Sequence, residues 1–274
     1  LLNTPRLSDL ARNPLLLLII ILIYMQSPND LPVKRVTLYE RGIEILLAEW
    51  DTNRNVRRFS KLGVNQKIFI LSKVAFHFQK QGQIQFSRKE ALSTISGLIH
   101  ELNGLAQVEP IEILEEIASQ NGLLQLIALN TYSFTHLSFQ EYFAAVALVN
   151  MSDKERYEFI HQHRLSSSWT EIILFVAELL EDSNQLLKTL LSPITFHKSD
   201  TEVIVLQDFK FYDFLTLSAQ CLAVSSQKDS SLRTQILNHF QQILLTSPFS
   251  LDWENATKVL VEQNDSLIIG ELLN

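Results

Sequence analysis

Residues 133 to 143 read SFTHLSFQEYF, and His136 is the side chain in that stretch with chemistry to offer. An imidazole can ligate a metal, act as a base, donate to a phosphate, or fill a core position by bonding a backbone carbonyl. A metal site needs further ligands at short range. His161 and His163 are two apart, which sets them on different helix faces, and no acidic or cysteine partners cluster with them at ligand spacing. They read as packed or solvated side chains. A serine nucleophile needs a sharp turn such as G-x-S-x-G, whereas Ser166, Ser167 and Ser168 precede Trp169 as a loop with a helix cap. Phosphoryl transfer needs a G-x-x-x-x-G-K-[ST] loop and an acidic strand end for magnesium, and the sequence contains neither pattern. By itself the chain is expected not to be an enzyme.

The elements around His136 say how it is held. In LLQLIALNTYSFTH, residues 123 to 136, Asn130-Thr131 separates two runs rich in aliphatic and aromatic residues, the pattern of a β-hairpin. Alternation along the second strand places Tyr132, Phe134 and His136 on one face and Ser133 and Thr135 on the other. Ser138 and Glu141 have capping-box spacing, with Leu137 and Tyr142 as the hydrophobic staple. His136 thus stands between a strand end and a capped helix, its ring free to point off the rim. Gln140 and Glu141 read as cap and packing residues.

Helices lead up to the hairpin. One is expected near 64–80, one from Arg88 to Glu101 capped by Ser87 with Glu90, and one from Pro110 to Ser119 with Ile111, Leu114 and Ile117 inward. GQIQFS, between the first two, reads as a turn. Helices, hairpin and helix in that order make a winged helix domain. Further upstream, Asn13 can cap and Pro14 can open a helix over PLLLLIIILIYM. Those residues are apolar all round, which predicts burial inside a helical bundle, while the run falls short of the ~20 residues a membrane span requires. Val36, Tyr39, Ile43, Leu46 and Trp50 form one stripe of the next helix. DTNRNVRRFSK, residues 51 to 61, is polar and basic and reads as a solvated boundary. Segments near 183–191, 202–225, 230–246 and 252–273 are helical in period and fit the start of a HEAT-like repeat array.

Composition agrees with a mainly α fold: 274 residues, 46% hydrophobic and 19% charged, with seven glycines and seven prolines. The expected division is a helical domain over 1–55, a winged helix with one β-hairpin over 56–150, and a C-terminal helical domain over 151–274. A net charge of −7 argues against nucleic acid and anionic membranes as partners. Cys221 alone allows no internal disulfide, which fits a reducing, cytoplasmic setting. Leu1 in place of an initiator methionine reads as a piece of a longer protein.

Five segments in order, RNPLLLLIIILIYM, LYERGIEILLAEW, NGLL, YSFTHLSFQEYFAA and SSSWTEIILFVAELL, resemble the region downstream of the nucleotide-binding core in NACHT-type STAND ATPases, relatives of NOD-like receptors. The resemblance covers about residues 5–181. It implies that Pro14 lies against the adenine of a bound nucleotide. It also implies that His136 reaches the β-phosphate of ADP and holds a closed, inactive state. A donor beside a diphosphate gives a charge-assisted hydrogen bond, strongest with a protonated ring. The implied cofactors are ADP and ATP, with Mg in an upstream core, and neither nucleotide would bind tightly to these residues alone. The implied partners are that upstream nucleotide-binding domain, a protein or ligand trigger, and further copies of the chain in a homo-oligomer on activation. The implied role is regulation in innate immune or anti-phage defence signalling. The alternative is a winged-helix protein- or DNA-binding module on a helical scaffold, working without nucleotide.

Overall fold

The computed structural model describes residues 11–28, 30–32, 34–48, 62–101, 107–120, 122–192, 215–226 and 229–246. The chain divides into two compact units, Leu1–Leu148 and Val149–Asn274.

In the first unit, α1 (Pro14–Gln26) opens as its sequence demands: the Asn13 side chain accepts from the Leu15 and Leu16 amides at 2.9 and 3.3 Å. Pro14, lacking an N–H, costs nothing at the first helical position. The all-round apolar sequence predicted a helix buried on every side, and the structure corrects that. Leu16, Ile19, Ile20 and Ile23 are buried, while Leu17, Leu18, Ile21, Tyr24 and Met25 are exposed, Met25 to 76%. The two sets follow separate helical stripes, and exposed Pro14 heads the outer one.

The inner stripe packs on α2 (Arg35–Ala48), where Val36, Tyr39, Ile43 and Leu46 are buried as the expected stripe; Trp50 lies outside the described residues, as do residues 51–61. Gly42 permits the approach. A Cβ there would meet Ile19 Cγ2 at 2.6 Å, so only glycine lets these helices come this close.

The winged helix follows. Helix α3 (Val64–Lys80) buries Ile70, Leu71, Val74, Ala75 and Phe78. Helix α4 (Arg88–Ile99) begins at the anticipated capping box, with Ser87 Oγ accepting from the Glu90 amide at 3.2 Å and Glu90 accepting from the Ser87 amide at 2.7 Å. Helix α5 (Pro110–Gln120) buries Ile113, Leu114 and Ile117. The hairpin is β2 (Leu124–Ala128) and β3 (Thr131–Phe134), turning at Leu129-Asn130 with Asn130 at φ 60°, a left-handed conformation that asparagine tolerates. GQIQFS is more than a turn. Gln85–Ser87 forms β1, antiparallel to β3, giving a three-stranded sheet in the order β1-β3-β2. A strand of three residues is too short to show an alternating pattern in sequence.

Helix α6 (Leu137–Val149) closes the unit over an aromatic core. Phe78 stacks on Phe86 at 3.9 Å, Phe86 meets Phe134 edge-on at 6.4 Å, and Phe134 tilts against Phe143 at 6.1 Å.

The second unit is helical throughout its described residues: α7 (Asp153–His163), a 3-10 turn (Ser167–Trp169), α8 (Thr170–Leu179), α9 (Asn184–Leu191), α10 (215–224) and α11 (Ser230–Thr246). Ser152 caps α7, and buried Arg156 donates to the Val149 and Met151 carbonyls at 2.7 and 2.9 Å. Helix α9 packs on α7 and on α11. Residues 202–214 and 252–273, expected to be helical, lie outside the described residues. No described helix is long and apolar enough to cross a membrane.

Candidate functional site

His136 sits two residues past β3 and one before the first residue of α6. The segment that presents it is fastened on the strand side by Thr135. The Thr135 amide donates to the Leu123 carbonyl at 3.0 Å, and its hydroxyl donates to the Gly122 carbonyl at 2.8 Å. Gly122 itself has φ 64°, where a side chain would be strained.

On the helix side the structure departs from the capping box expected at Ser138. Helix α6 starts at Leu137, so Ser138 already lies inside it. His136 takes the capping place: its Nδ1 accepts from the Ser138 amide at 3.1 Å, and its carbonyl accepts from the Phe139 amide at 3.0 Å. An imidazole nitrogen can stand in for a hydroxyl or carboxylate oxygen because the requirement is only an acceptor facing the second or third amide of the helix.

This bond fixes the tautomer. An Nδ1 that accepts from an amide carries no proton, so in the neutral ring the proton resides on Nε2. The exposed ring therefore offers one N–H to whatever lies beyond it, at a helix N-terminus whose dipole favours negative charge. A doubly protonated ring could not make this cap.

Gln140 secures the next turn. It is 1% exposed, and its Nε2 donates at 3.0 Å both to Gln79 Oε1 on α3 and to the Gln83 carbonyl before β1. The sequence reading made Gln140 a cap or packing residue. It is a tie from α6 to two distant segments, and nothing in local spacing signals a partner 61 residues away. Phe139 and Tyr142 add a second tie, for Tyr39 of α2 meets Phe139 edge-on at 6.0 Å and stacks on Tyr142 at 5.3 Å. Burial, then the Glu40 and Glu44 carboxylates, push the Tyr142 phenol up, so it stays protonated.

Pro14 is also exposed, at the N-terminus of α1. It and His136 belong to the same compact unit and each marks the start of a helix. The link between those helices runs through α2, which receives Ile19 of α1 at Gly42 and stacks Tyr39 on Tyr142 of α6.

His161 and His163 are occupied in packing. His163 stacks on Phe159 at 3.9 Å and bonds the Phe159 carbonyl at 2.9 Å, and His161 bonds Ser192 Oγ at 3.0 Å beside Arg164. Burial and then the Arg164 guanidinium hold His161 below its ordinary range. Among the described residues no group of three His, Cys, Asp or Glu side chains is placed to hold a metal ion.

Residues 35–148 match a family model described as the winged helix-turn-helix domain C-terminal to NACHT. No curated protein matches the chain.

Proposed function

With residues 35–148 a winged helix domain of the kind that lies C-terminal to NACHT, we propose that this chain is the regulatory, nucleotide-sensing half of a NACHT/STAND ATPase. An upstream nucleotide-binding core supplies the phosphate loop and magnesium. This chain supplies two contacts from the opposite side. Pro14 lies against the adenine, and His136 donates its Nε2–H to the β-phosphate of ADP.

The observation that carries the reading is the Ser138 amide donating to His136 Nδ1 at 3.1 Å. It leaves Nε2 of this exposed ring as the donor, to which an anionic oxygen would complete the bond. The outer stripe of α1, from Pro14 through Leu17, Leu18 and Ile21 to Met25, offers the upstream core an apolar surface starting at the adenine contact.

In this account ADP clamps the two halves into a closed, autoinhibited state. ATP, binding without the His136 contact, releases the winged helix and exposes surfaces for homo-oligomerisation, a two-state equilibrium biased by ligand contacts. The output is innate immune or anti-phage defence signalling. The DNA-binding alternative has less support: α5, the helix ahead of the wing, exposes Glu112 and Glu115, which oppose a phosphate backbone. Purification of the protein extended through its NACHT core tests the proposal. Retained ADP that His136→Ala sheds, with higher basal signalling, is expected; a variant that retains ADP and stays silent contradicts it.

A further inference from the structure

A groove of about 950 Å³ runs between α3 and α4, away from His136. Its walls carry Lys73, His77 and Lys80 from α3 and Lys89 from α4, over an apolar floor that includes Phe76 and Leu98. One carboxylate reaches it, that of Glu90, whose oxygens already accept from the Ser87 amide at 2.7 Å and the Gln83 side chain at 3.4 Å. Three ammonium groups against one engaged carboxylate reverse the sign of a chain that is −7 overall. Aromatic rings help to place two of them: the Lys73 ammonium stands 5.5 Å from the Phe69 ring centroid and that of Lys80 5.7 Å from Phe76.

We propose that this groove is a docking site for an acidic peptide segment of a partner protein, one that alternates carboxylates with aliphatic side chains. The lysines and His77 take the carboxylates, the Ser93 hydroxyl supplies a further donor, and the Phe76–Leu98 floor takes the aliphatic groups. A nucleic acid fits less well. Its charge is dense and uniform, whereas the cationic strip is short and borders acidic α5, where Glu115 already engages Arg88 at 2.9 Å. The inference rests on neither His136 nor a nucleotide.

The test is fluorescence anisotropy of this chain with a labelled peptide repeating Glu-Glu-Leu, run at rising salt beside a single-stranded DNA oligonucleotide of equal charge. Saturable peptide binding that weakens as salt screens it is expected. The double variant Lys73→Glu/Lys89→Glu is expected to weaken it roughly tenfold or more. Gly97→Glu is the second variant: a Cβ at Gly97 meets nothing within 4 Å, and glutamate is the better helix former, so the fold is preserved while a negative charge enters the groove. Gly97→Ala should bind as the parent does. The proposal is overturned by an absence of saturable peptide binding, by binding that survives both variants, or by tighter binding of the oligonucleotide. Self-association of the chain that the same variants abolish would also overturn it, by making a second copy the occupant.

Discussion

The Lys67 ammonium and the Glu116 carboxylate meet at 3.1 Å inside the winged helix, joining α3 to α5 with side chains only 2% and 7% exposed. Two charges out of water are tolerable only together, because desolvation of either alone exceeds what the remaining contacts return. Lys67→Ala or Glu116→Ala singly is expected to cost about 3–5 kcal/mol. The double replacement Lys67→Met/Glu116→Leu should recover most of that loss. Hydrogen exchange at the α3 and α5 amides reads both; a double variant as unprotected as the singles would contradict the pairing.

Gly42 and Ile19 set how closely α1 approaches α2, and a methyl at Gly42 would press on Ile19 Cγ2 at 2.6 Å. Gly42→Ala should destabilise the first unit by about 1–3 kcal/mol despite alanine's better helix propensity. Paired with Ile19→Ala, its cost should fall well below the sum of the singles in a double-mutant cycle. Additive costs would mean the two helices separate freely.

Two surface carboxylates should respond to pH with opposite signs. Burial and then Glu44 raise Glu40 above its ordinary 4.5, so its folded form prefers the proton. Its stabilising contribution is complete below that ordinary value and is lost as pH rises through the folded one. Glu40→Gln should therefore raise the unfolding midpoint slightly at neutral pH and lose that advantage towards pH 4.5. Glu90 behaves in reverse. Hydrogen bonds from the Ser87 hydroxyl, then the Ser87 amide, lower it, so it stabilises above the ordinary value and ceases to as pH falls through the lowered one. Glu90→Gln should be destabilising at neutral pH, with the difference closing in acid. Thermal melts across the acid range distinguish the two patterns.

Gln140 should matter through position. Gln140→Leu removes the donor to the Gln79 side chain and the Gln83 carbonyl, at about 1–3 kcal/mol for a buried acceptor left short. The local signature is faster exchange of the Ser138 and Phe139 amides, since the first turn of α6 would lose its tie to α3. Unchanged exchange there would reduce Gln140 to packing.

Where a local rule was sufficient, the sequence was legible. Asn13-Pro14 opened α1 as read, Ser87 and Glu90 formed their box, the span 64–80 was the helix Val64–Lys80, and Asn130 turned the wing. Tertiary choices were illegible. The apolar surround of α1 could not say which half faces solvent, because Leu16 and Leu17 are the same residue type. S-x-x-E spacing pointed to Ser138 as the cap, yet the strand end delivers His136 two residues earlier and its ring nitrogen serves instead. Strand β1 is visible only once β3 lies beside it, since Gln85, Phe86 and Ser87 pair with Ser133, Tyr132 and Thr131. Gln140 and Lys67 owe their partners to the packed fold, and no window of sequence contains both members of either pair.

The most direct test of the nucleotide role separates the two nitrogens of His136. Asparagine can still cap α6 through its side-chain oxygen, but with that oxygen in the place of Nδ1 its amide N–H groups stop short of the position of the outward Nε2–H. In the protein extended through its NACHT core, ADP release from His136→Asn, followed with a fluorescent ADP analogue, should be roughly ten- to a hundredfold faster than from the parent, the loss of one charge-assisted hydrogen bond. Exchange protection in α6 should stay intact. Release at the parental rate, with the cap preserved, would contradict the account.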